Sequence, residues 1–389
     1  MAKGPVAHDA SVLTASEIRA LAAWRGAPTV VSLYLDVDGR RYPRPSDYAP
    51  NLDHLFRVAR ETADPHGGQA GTSLEIDLVC IADWLAQGLD RSSARGVAAF
   101  SAGADGMFEA FTLPVPVRDQ VVVAPTPDVA QLIAALAVTA PFLVVALDQQ
   151  RSQLLRVGPG GCEEVAAPID DVERQVDTDV ELGSFEHRHE EHARQHVRRV
   201  AAAVVTELDR QPAEDLVLSG THEILAHLES ELPRRTGALL AGRINLPPGS
   251  PLADLETAAR AVVEQARGDR QRAVATAVRE RAEQGVGAVI GLAATLPALN
   301  AGEVETLVVD AGFASPGGHC DNCEALLDGG GPCLTCGAEV RRVANVVDEA
   351  VTRAFVHHVA VEFCPEGELG SEGIGALTRH VPQGAAGGV

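Results

Sequence analysis

Lysine is almost absent from this chain: of its 32 basic residues one is Lys3 and the rest are arginines. Basic residues are themselves outnumbered by 54 acidic ones, which leaves a formal net charge of −22. That balance excludes a protein that holds nucleic acid by bulk charge, because phosphate affinity rests on counterions released by an excess of cations. It leaves room for a locally basic face. Aromatic residues are scarce at 4%, so the cores must be built from Ala, Val and Leu. Hydrophobic residues at 46% and charged residues at 22% are ordinary values and exclude a wholly disordered chain. A length of 389 residues suggests two or three domains at about 150 residues each.

Two other features are missing. Met1 to Trp24 carries no apolar run of the secretory kind, and the seven cysteines do not spread as a disulfide framework. Four of them fall within seventeen residues, while Cys80, Cys162 and Cys364 are scattered and read as small buried hydrophobes. The expectation is a protein of the reducing cytoplasm. Val129 to Leu147 is free of charge over nineteen residues, near the length of a membrane span. However, Pro127-Asp128 starts a helix, Pro141 stops it, and Phe142 to Leu147 reads as a buried strand. No membrane association is expected.

Three regions follow along the chain, 1–140, 141–250 and 251–389. The first opens with a helix over Ser16–Ala23, capped by Ser16, and a strand over Val30–Val37. A loop then runs from Gly39 to Pro50. Helices over Asn51–Ala63 and to about Leu89 form a hairpin with Asp64–Gly71 at its tip, and strands follow at Gly96–Ser101 and Met107–Leu113. The second region alternates strands at Phe142, Gln153–Val157 and Leu216–Gly220 with helices over Glu186–Leu208 and Thr221–Leu232, then an edge strand at Arg243–Leu246. Asp170–Phe185 reads as a loop. The third region has helical sequence over Leu252–Gln284 and again over Val286–Leu299, a strand at Glu305–Asp310, a cysteine-rich insert over 317–337, a helix over Val346–Phe355 and a strand over Val359–Cys364. The fold class is α/β and α+β.

The strongest chemical signal is Cys320-x2-Cys323 followed by Cys333-x2-Cys336, with nine residues between the pairs. Each pair offers two thiolates from one tight turn, and four thiolates close a tetrahedral site with no open position. The spacing therefore points to one structural zinc. A pair of redox dithiols is the other reading. His187, His189, His192 and His196 crowd the start of the helix at Glu186. His189-Glu190-Glu191-His192 is not the metalloprotease HExxH spacing, and Arg188 stands where the inverted motif needs histidine. These histidines read as a solvated face or, with Arg188, Arg194, Arg198 and Arg199, as an RNA-contacting stretch. Gly67-Gly68-Gln69 sits at the hairpin tip, where glycine is a turn residue. No Ser-His-Asp set and no phosphate-cradling glycine loop is present, and no enzymatic activity is expected.

The last third carries Ala298-Leu299-Asn300-Ala301-Gly302-Glu303-Val304-Glu305-Thr306-Leu307-Val308-Val309 and the closing Gly370-Ser371-Glu372-Gly373-Ile374-Gly375-Ala376-Leu377-Thr378-Arg379. With Leu216-Val217-Leu218-Ser219-Gly220, these segments resemble the archaeal and eukaryotic class-one release factor family, which includes Pelota. The resemblance implies a three-domain release-factor/Pelota-like architecture with a zinc-binding insert in the third domain, as some members have. It also implies a GGQ tripeptide just before the long helix of the second domain. Here Glu181-Leu182-Gly183-Ser184-Phe185-Glu186-His187-Arg188 precedes that helix and holds no GGQ. The stray Gly67-Gly68-Gln69 falls instead in the first domain, where the family reads the codon, and that tip lacks the NIKS motif.

Loss of both signatures resembles the bacterial Balon-type branch of ribosome hibernation factors. That likeness implies occupation of the ribosomal A site under stress or dormancy, delivered by a GTPase such as EF-Tu. The alternative is a peptide release or ribosome rescue factor acting on peptidyl-tRNA. Two patches are candidates for ribosomal RNA contact: Arg40, Arg41, Tyr42 and Arg44, and the helix stretch of His187, Arg188, His189, Arg194, Arg198 and Arg199. Each also reads as a solvated surface.

Overall fold

In the computed structural model, residues 6–8, 13–26, 29–63, 69–90, 94–166 and 182–379 are described. They group into two compact units, one of residues 1–138 and 271–389, the other of residues 139–270.

The first unit begins with β1 (Val6–His8), α1 (Ala15–Ala22), β2 (Val30–Asp36), α2 (Pro45–Ala63), α3 (Gln69–Ala86), β3 (Gly96–Ala102), β4 (Met107–Leu113), β5 (Gln120–Ala124) and α4 (Ala130–Val138). The strands form one sheet in the order β1-β4-β3-β2-β5, antiparallel except for the β1–β4 pair. Strands β2 and β3 are buried along their whole length, because both faces of the sheet are covered. The two-residue period of a strand splits their side chains between two cores. Leu33, Leu35, Val97 and Ala99 meet Leu78 and Ile81 of α3, whereas Tyr34, Ala98 and Phe100 meet α1 and α4.

Two sequence expectations shift here. The cap of α1 is Thr14, not Ser16, because Thr14 has Glu17 three residues on. Glu17 N–H donates to Thr14 Oγ1 (3.2 Å) and Thr14 N–H donates to Glu17 Oε2 (2.9 Å), which makes a capping box. Helix α2 starts at Pro45, six residues before the expected Asn51. Proline suits a first helical position, and Asp47 Oδ2 accepts from Arg44 N–H at 2.7 Å. Tyr48 is thereby buried in a helix rather than exposed in a loop.

The second unit holds β6 (Phe142–Leu147), β7 (Ser152–Gly158), β8 (Gly161–Ala166), α5 (Leu182–Arg210), β9 (Asp215–Ser219), α6 (His222–Glu231), α7 (Arg234–Gly237) and β10 (Leu240–Ile244). The next helix, α8 (Leu252–Glu283), contributes its residues to 270 here. The sheet order is β10-β9-β6-β7-β8, with β6, β9 and β10 parallel and β7 antiparallel to both its neighbours. Leu143, Val145 and Leu147 face Val197, Val200 and Val204 of α5, and Phe142, Val144 and Ala146 face Leu255, Ala259 and Val263 of α8. The uncharged run thus divides into α4 and β6, and no helix among the described residues is long and apolar enough to cross a membrane. Strand β8 went unread because Gly-Cys-Glu-Glu carries no alternation. Of the expected Asp170–Phe185 loop, 182–185 open α5 and residues 170–181 lie outside the described residues.

The first unit is completed by β11 (Ala288–Ile290), α9 (Leu292–Asn300), β12 (Val304–Asp310), β13 (Gly317–His319), β14 (Leu326–Leu327), β15 (Arg341–Val343), α10 (Val346–Val356), β16 (Ala360–Cys364) and β17 (Ile374–Thr378). Its sheet runs β11-β17-β12-β16, and the insert adds a small β14-β13-β15 sheet. The expected single helix over Val286–Leu299 is a strand and a shorter helix. Gly291 at φ +82° breaks it, and the Glu372 carboxylate occupies the place a Cβ would take there. Leu132 of α4 and Val351 and Ala354 of α10 belong to one buried cluster, so the two stretches of this unit share a core.

Asp215 is fully buried at the start of β9, where Arg267 Nε (2.7 Å) and Arg270 Nη2 (2.6 Å) donate to its two oxygens. Removing one member of a buried pair leaves charge uncompensated. Asp215→Ala is therefore expected to lower the stability of the second unit by about 3 kcal/mol or more in chemical denaturation; a loss below about 1 kcal/mol, the size of an exposed pair, would contradict this.

Candidate metal centre and arginine faces

The four cysteines come together. Their sulfurs lie within 4.8 Å of one another, with Cys320 Sγ 3.5 Å from Cys336 and Cys323 Sγ 3.5 Å from Cys333. A tetrahedral ion bound at about 2.3 Å holds its thiolates about 3.8 Å apart, so the set fits one such ion. The sulfurs are too far apart for disulfides, and all four thiols are free.

The backbone explains why they converge. Cys320-Asp321-Asn322-Cys323-Glu324-Ala325 and Cys333-Leu334-Thr335-Cys336-Gly337-Ala338 are two copies of one turn. In the first, Cys320 N–H donates to Ala325 O and Glu324 N–H to Cys320 O; in the second, Cys333 N–H donates to Ala338 O and Gly337 N–H to Cys333 O. The residue after the second cysteine is left-handed in both, Glu324 at φ 59° and Gly337 at φ 76°. The β13–β14 pair closes the first turn, and the bridge between Pro332 and Glu339 closes the second. Within the cluster the thiols differ. The Asn322 side chain and the Ala338 amide hold Cys336 down to about 6, while bonds to the amides of Cys336 and Thr335 lower Cys333. Cys323 moves the other way: although the Ala325 amide lowers it, burial and the neighbouring thiols push it up to about 12.

The insert is fastened to its unit by polar contacts. Asn300, at the end of α9, donates from Nδ2 to Leu326 O (2.8 Å) and accepts Leu326 N–H (3.0 Å). Arg353 of α10 donates to Asn300 Oδ1 at 3.0 Å and to Glu324 O. Gly317 and Gly318 lie where a Cβ would strike Val346, Val340 and backbone carbonyls, so only glycine fits the docked edge. The sequence did not reveal Asn300 or Arg353, because nothing in a lone Asn or Arg marks a partner in a distant insert.

The arginine patches are partly occupied at home. Arg41 Nη1 donates to Asp36 Oδ2 at 2.7 Å, and Asn51 Nδ2 donates to Tyr42 Oη at 3.1 Å. Arg40 and Arg44 are exposed. Beneath them Asp38 binds Arg95 at 2.7 Å, and the Arg40 amide followed by Arg95 holds its carboxyl below the usual range. On α5 the side chains of residues 182–190 lie outside the described residues, and His187, Arg188 and His189 fall there. Arg194, Arg198 and Arg199 are exposed, and Arg198 is 3.4 Å from Glu231. Arg194 borders a cleft of about 380 Å³ with Gln149, Thr221, Glu223 and His227. His192 is exposed whereas His196 is fully buried with neither ring nitrogen hydrogen-bonded, so these two do not converge on an ion. Among the described residues, the four cysteines are the one group placed to bind metal. Gly67 and Gly68 lie outside the described residues, and Gln69 opens α3.

The second unit presents a mixed five-stranded sheet, a long arginine-bearing helix and no GGQ in the sequence before it. Residues 127–271 match the family model described as bacterial archaeo-eukaryotic release factor family 10. The likeness to release factors read from the sequence is thus shown, and it is centred on this unit. Solved structures with similarity include an archaeal translation termination factor at 14% identity, covering 97% of this chain and 100% of that one with a TM-score of 0.27. Archaeoglobus fulgidus Pelota is 14% identical over 74% of this chain and 80% of that one, with a TM-score of 0.33. Dom34 of S. cerevisiae, a translation termination-like factor interacting with Hbs1, is 10% identical over 74% of this chain and 81% of that one, with a TM-score of 0.42. No curated protein matches the chain.

Cys333→Ser removes one ligand while leaving the Asn300 and Arg353 anchors in place. Amide exchange across 317–337 is expected to rise at least tenfold in this variant, with α5 and β9 unchanged. Equal exchange in the two proteins would show that the turns hold without a bound ion.

Proposed function

We propose that this protein occupies the A site of idle bacterial ribosomes and blocks translation without releasing peptide. The observation that carries the reading is the family match over 127–271 joined to the absence of GGQ from the sequence leading up to and opening the long helix α5. A release-factor body then retains its binding surface and loses the group that would place water at the peptidyl ester. In this reading the first region reaches the decoding centre, the central region points to the peptidyl-transferase centre, and the third lies near a delivering GTPase such as EF-Tu.

The acidic chain is compatible with that role if the exposed arginines of two patches meet RNA. Arg194, Arg198 and Arg199 share the exposed side of α5, and Arg40 and Arg44 project from the loop before α2. Arginine–phosphate contacts release counterions, so binding weakens with added salt. The ion we assign to the four cysteines is zinc, since four thiolates close a tetrahedral shell around a borderline-soft cation and leave no site for substrate. Its role is structural: it ties together turns that share little apolar core.

Three measurements test this. Wild-type protein should co-sediment with ribosomes, with EF-Tu and GTP present or absent, and Arg194→Glu with Arg198→Glu should weaken binding about tenfold or more; no co-sedimentation in either condition would contradict the proposal. Peptidyl-tRNA hydrolysis should stay at background, and Gln69→Ala should leave it there, whereas codon-dependent release lost on that substitution would restore a release-factor reading. Elemental analysis should find about one zinc per chain, and protein free of metal with four reactive thiols would overturn the assignment.

A further inference from the structure

Helices α4 and α10 pack against each other although their sequences lie far apart, and α1 packs on both. A polar network lies at the edge of this junction. Gln120 Nε2, on β5, stands 3.3 Å from Asp128 Oδ2 and 3.2 Å from Asp348 Oδ2. Its amide cannot be flipped, because Gln120 Oε1 accepts from Gln131 Nε2 (2.8 Å) and Arg118 Nη2 (3.1 Å). One amide nitrogen therefore serves two carboxylates, one at the start of α4 and one in the first turn of α10. Asp128 Oδ1 accepts Ala130 N–H at 3.1 Å and so also caps α4. Tyr34 Oη donates to Asp128 O at 2.7 Å, and Asp128 N–H donates to Ser32 Oγ at 3.0 Å.

Positive charge near the pair is thin. Arg118 Nη2 is 3.9 Å from Asp348 Oδ2, and its side chain is 48% exposed, against 13% for Asp348. Around them stand Tyr34 from β2, kept neutral by burial, and Glu349 from α10, which is itself 3.3 Å from His319 of β13. Arg353 of α10 is committed to Asn300 and Glu324, and Arg19 of α1 lies over the Phe355 ring. Two ionised carboxylates in this setting repel each other, and the guanidinium beside them, Arg118, is half-exposed and weakened by solvent.

We propose that Asp128 and Asp348 form a proton-dependent latch that holds α4 against α10. With one proton between them, one carboxyl is neutral and the Gln120 amide satisfies both. With that proton lost, the two charges separate and the helices part, opening the core that the two stretches of the first unit share.

The energetics run the same way. Burial, then the neighbouring Asp348, pushes the Asp128 carboxyl up to about 8, and burial also raises Asp348. The closed junction therefore binds more protons than the open one between about pH 4 and pH 8. Its stability is greatest in acid, falls as pH rises through that window and is level above it.

Hydrogen exchange on the full-length chain at pH 6 and pH 9, corrected for intrinsic amide rates, tests the latch. Wild-type protection over α4 and α10 should fall by about ten- to a hundredfold between the two conditions, with α6 in the second unit unchanged. Asp128→Asn and Asp348→Asn each replace a titrating group by a neutral one of the same shape, and either should abolish the fall; two variants guard against one failing to fold. Protection independent of pH in the wild type would overturn the proposal. So would a fall that persists in both variants.

Discussion

Helix α10 is the member on which the first unit depends. Val346, Val347, Ala350, Val351 and Ala354 are all buried, and the helix touches α1, α4, α9, β13, β14 and β16. A fully buried Val or Leu is worth about 1.5–3 kcal/mol of transfer free energy, so this one short helix supplies a large part of what joins residues 1–138 to residues 271–389. Its polar face is equally committed. Asp348 meets the N-terminal stretch through Gln120, while Arg353 meets the cysteine insert through Glu324 and Asn300. One helix thus binds the four-cysteine insert and a distant sheet to the same core.

Much of this was legible in the sequence, for physical reasons. The strands Val30–Asp36 and Phe142–Leu147 are apolar runs bounded by Gly, Pro or Asp, and a buried strand needs little else. The helix α5 announces itself by Val197, Val200 and Val204 on one face. The four cysteines converge as their spacing implied, because each CxxC turn is a local structure that forms within six residues. The errors occur where a local signal competes with a contact made elsewhere. Val286–Leu299 has helical composition, but Ala288–Ile290 pair with Gly375–Leu377 in a sheet, and the pairing decides. Asn300, Arg353, Gln120 and Asp128 were invisible as site residues because each acts through a partner far along the chain, and no spacing rule reaches that far. The arginines raise a related point: Arg40 and Arg41 look alike in sequence, yet Asp36 claims Arg41.

Residues 127–271 match the family model described as bacterial archaeo-eukaryotic release factor family 10, and they lie almost wholly in the central unit. The central unit keeps a five-stranded sheet covered by α5 on one face and α8 on the other, a rigid mount for the exposed arginines of α5. Positioning groups on the phosphate backbone needs only such a mount and a few cations. The sequence leading up to α5 holds no GGQ tripeptide.

The most direct measurement is the density this protein leaves on ribosomes purified from starved cells. The account predicts a chain filling the A site, with the 317–337 insert distant from the decoding centre and the α5 arginines against ribosomal RNA. Ribosomes from such cells that lack the protein, or that carry it at another site, would contradict it.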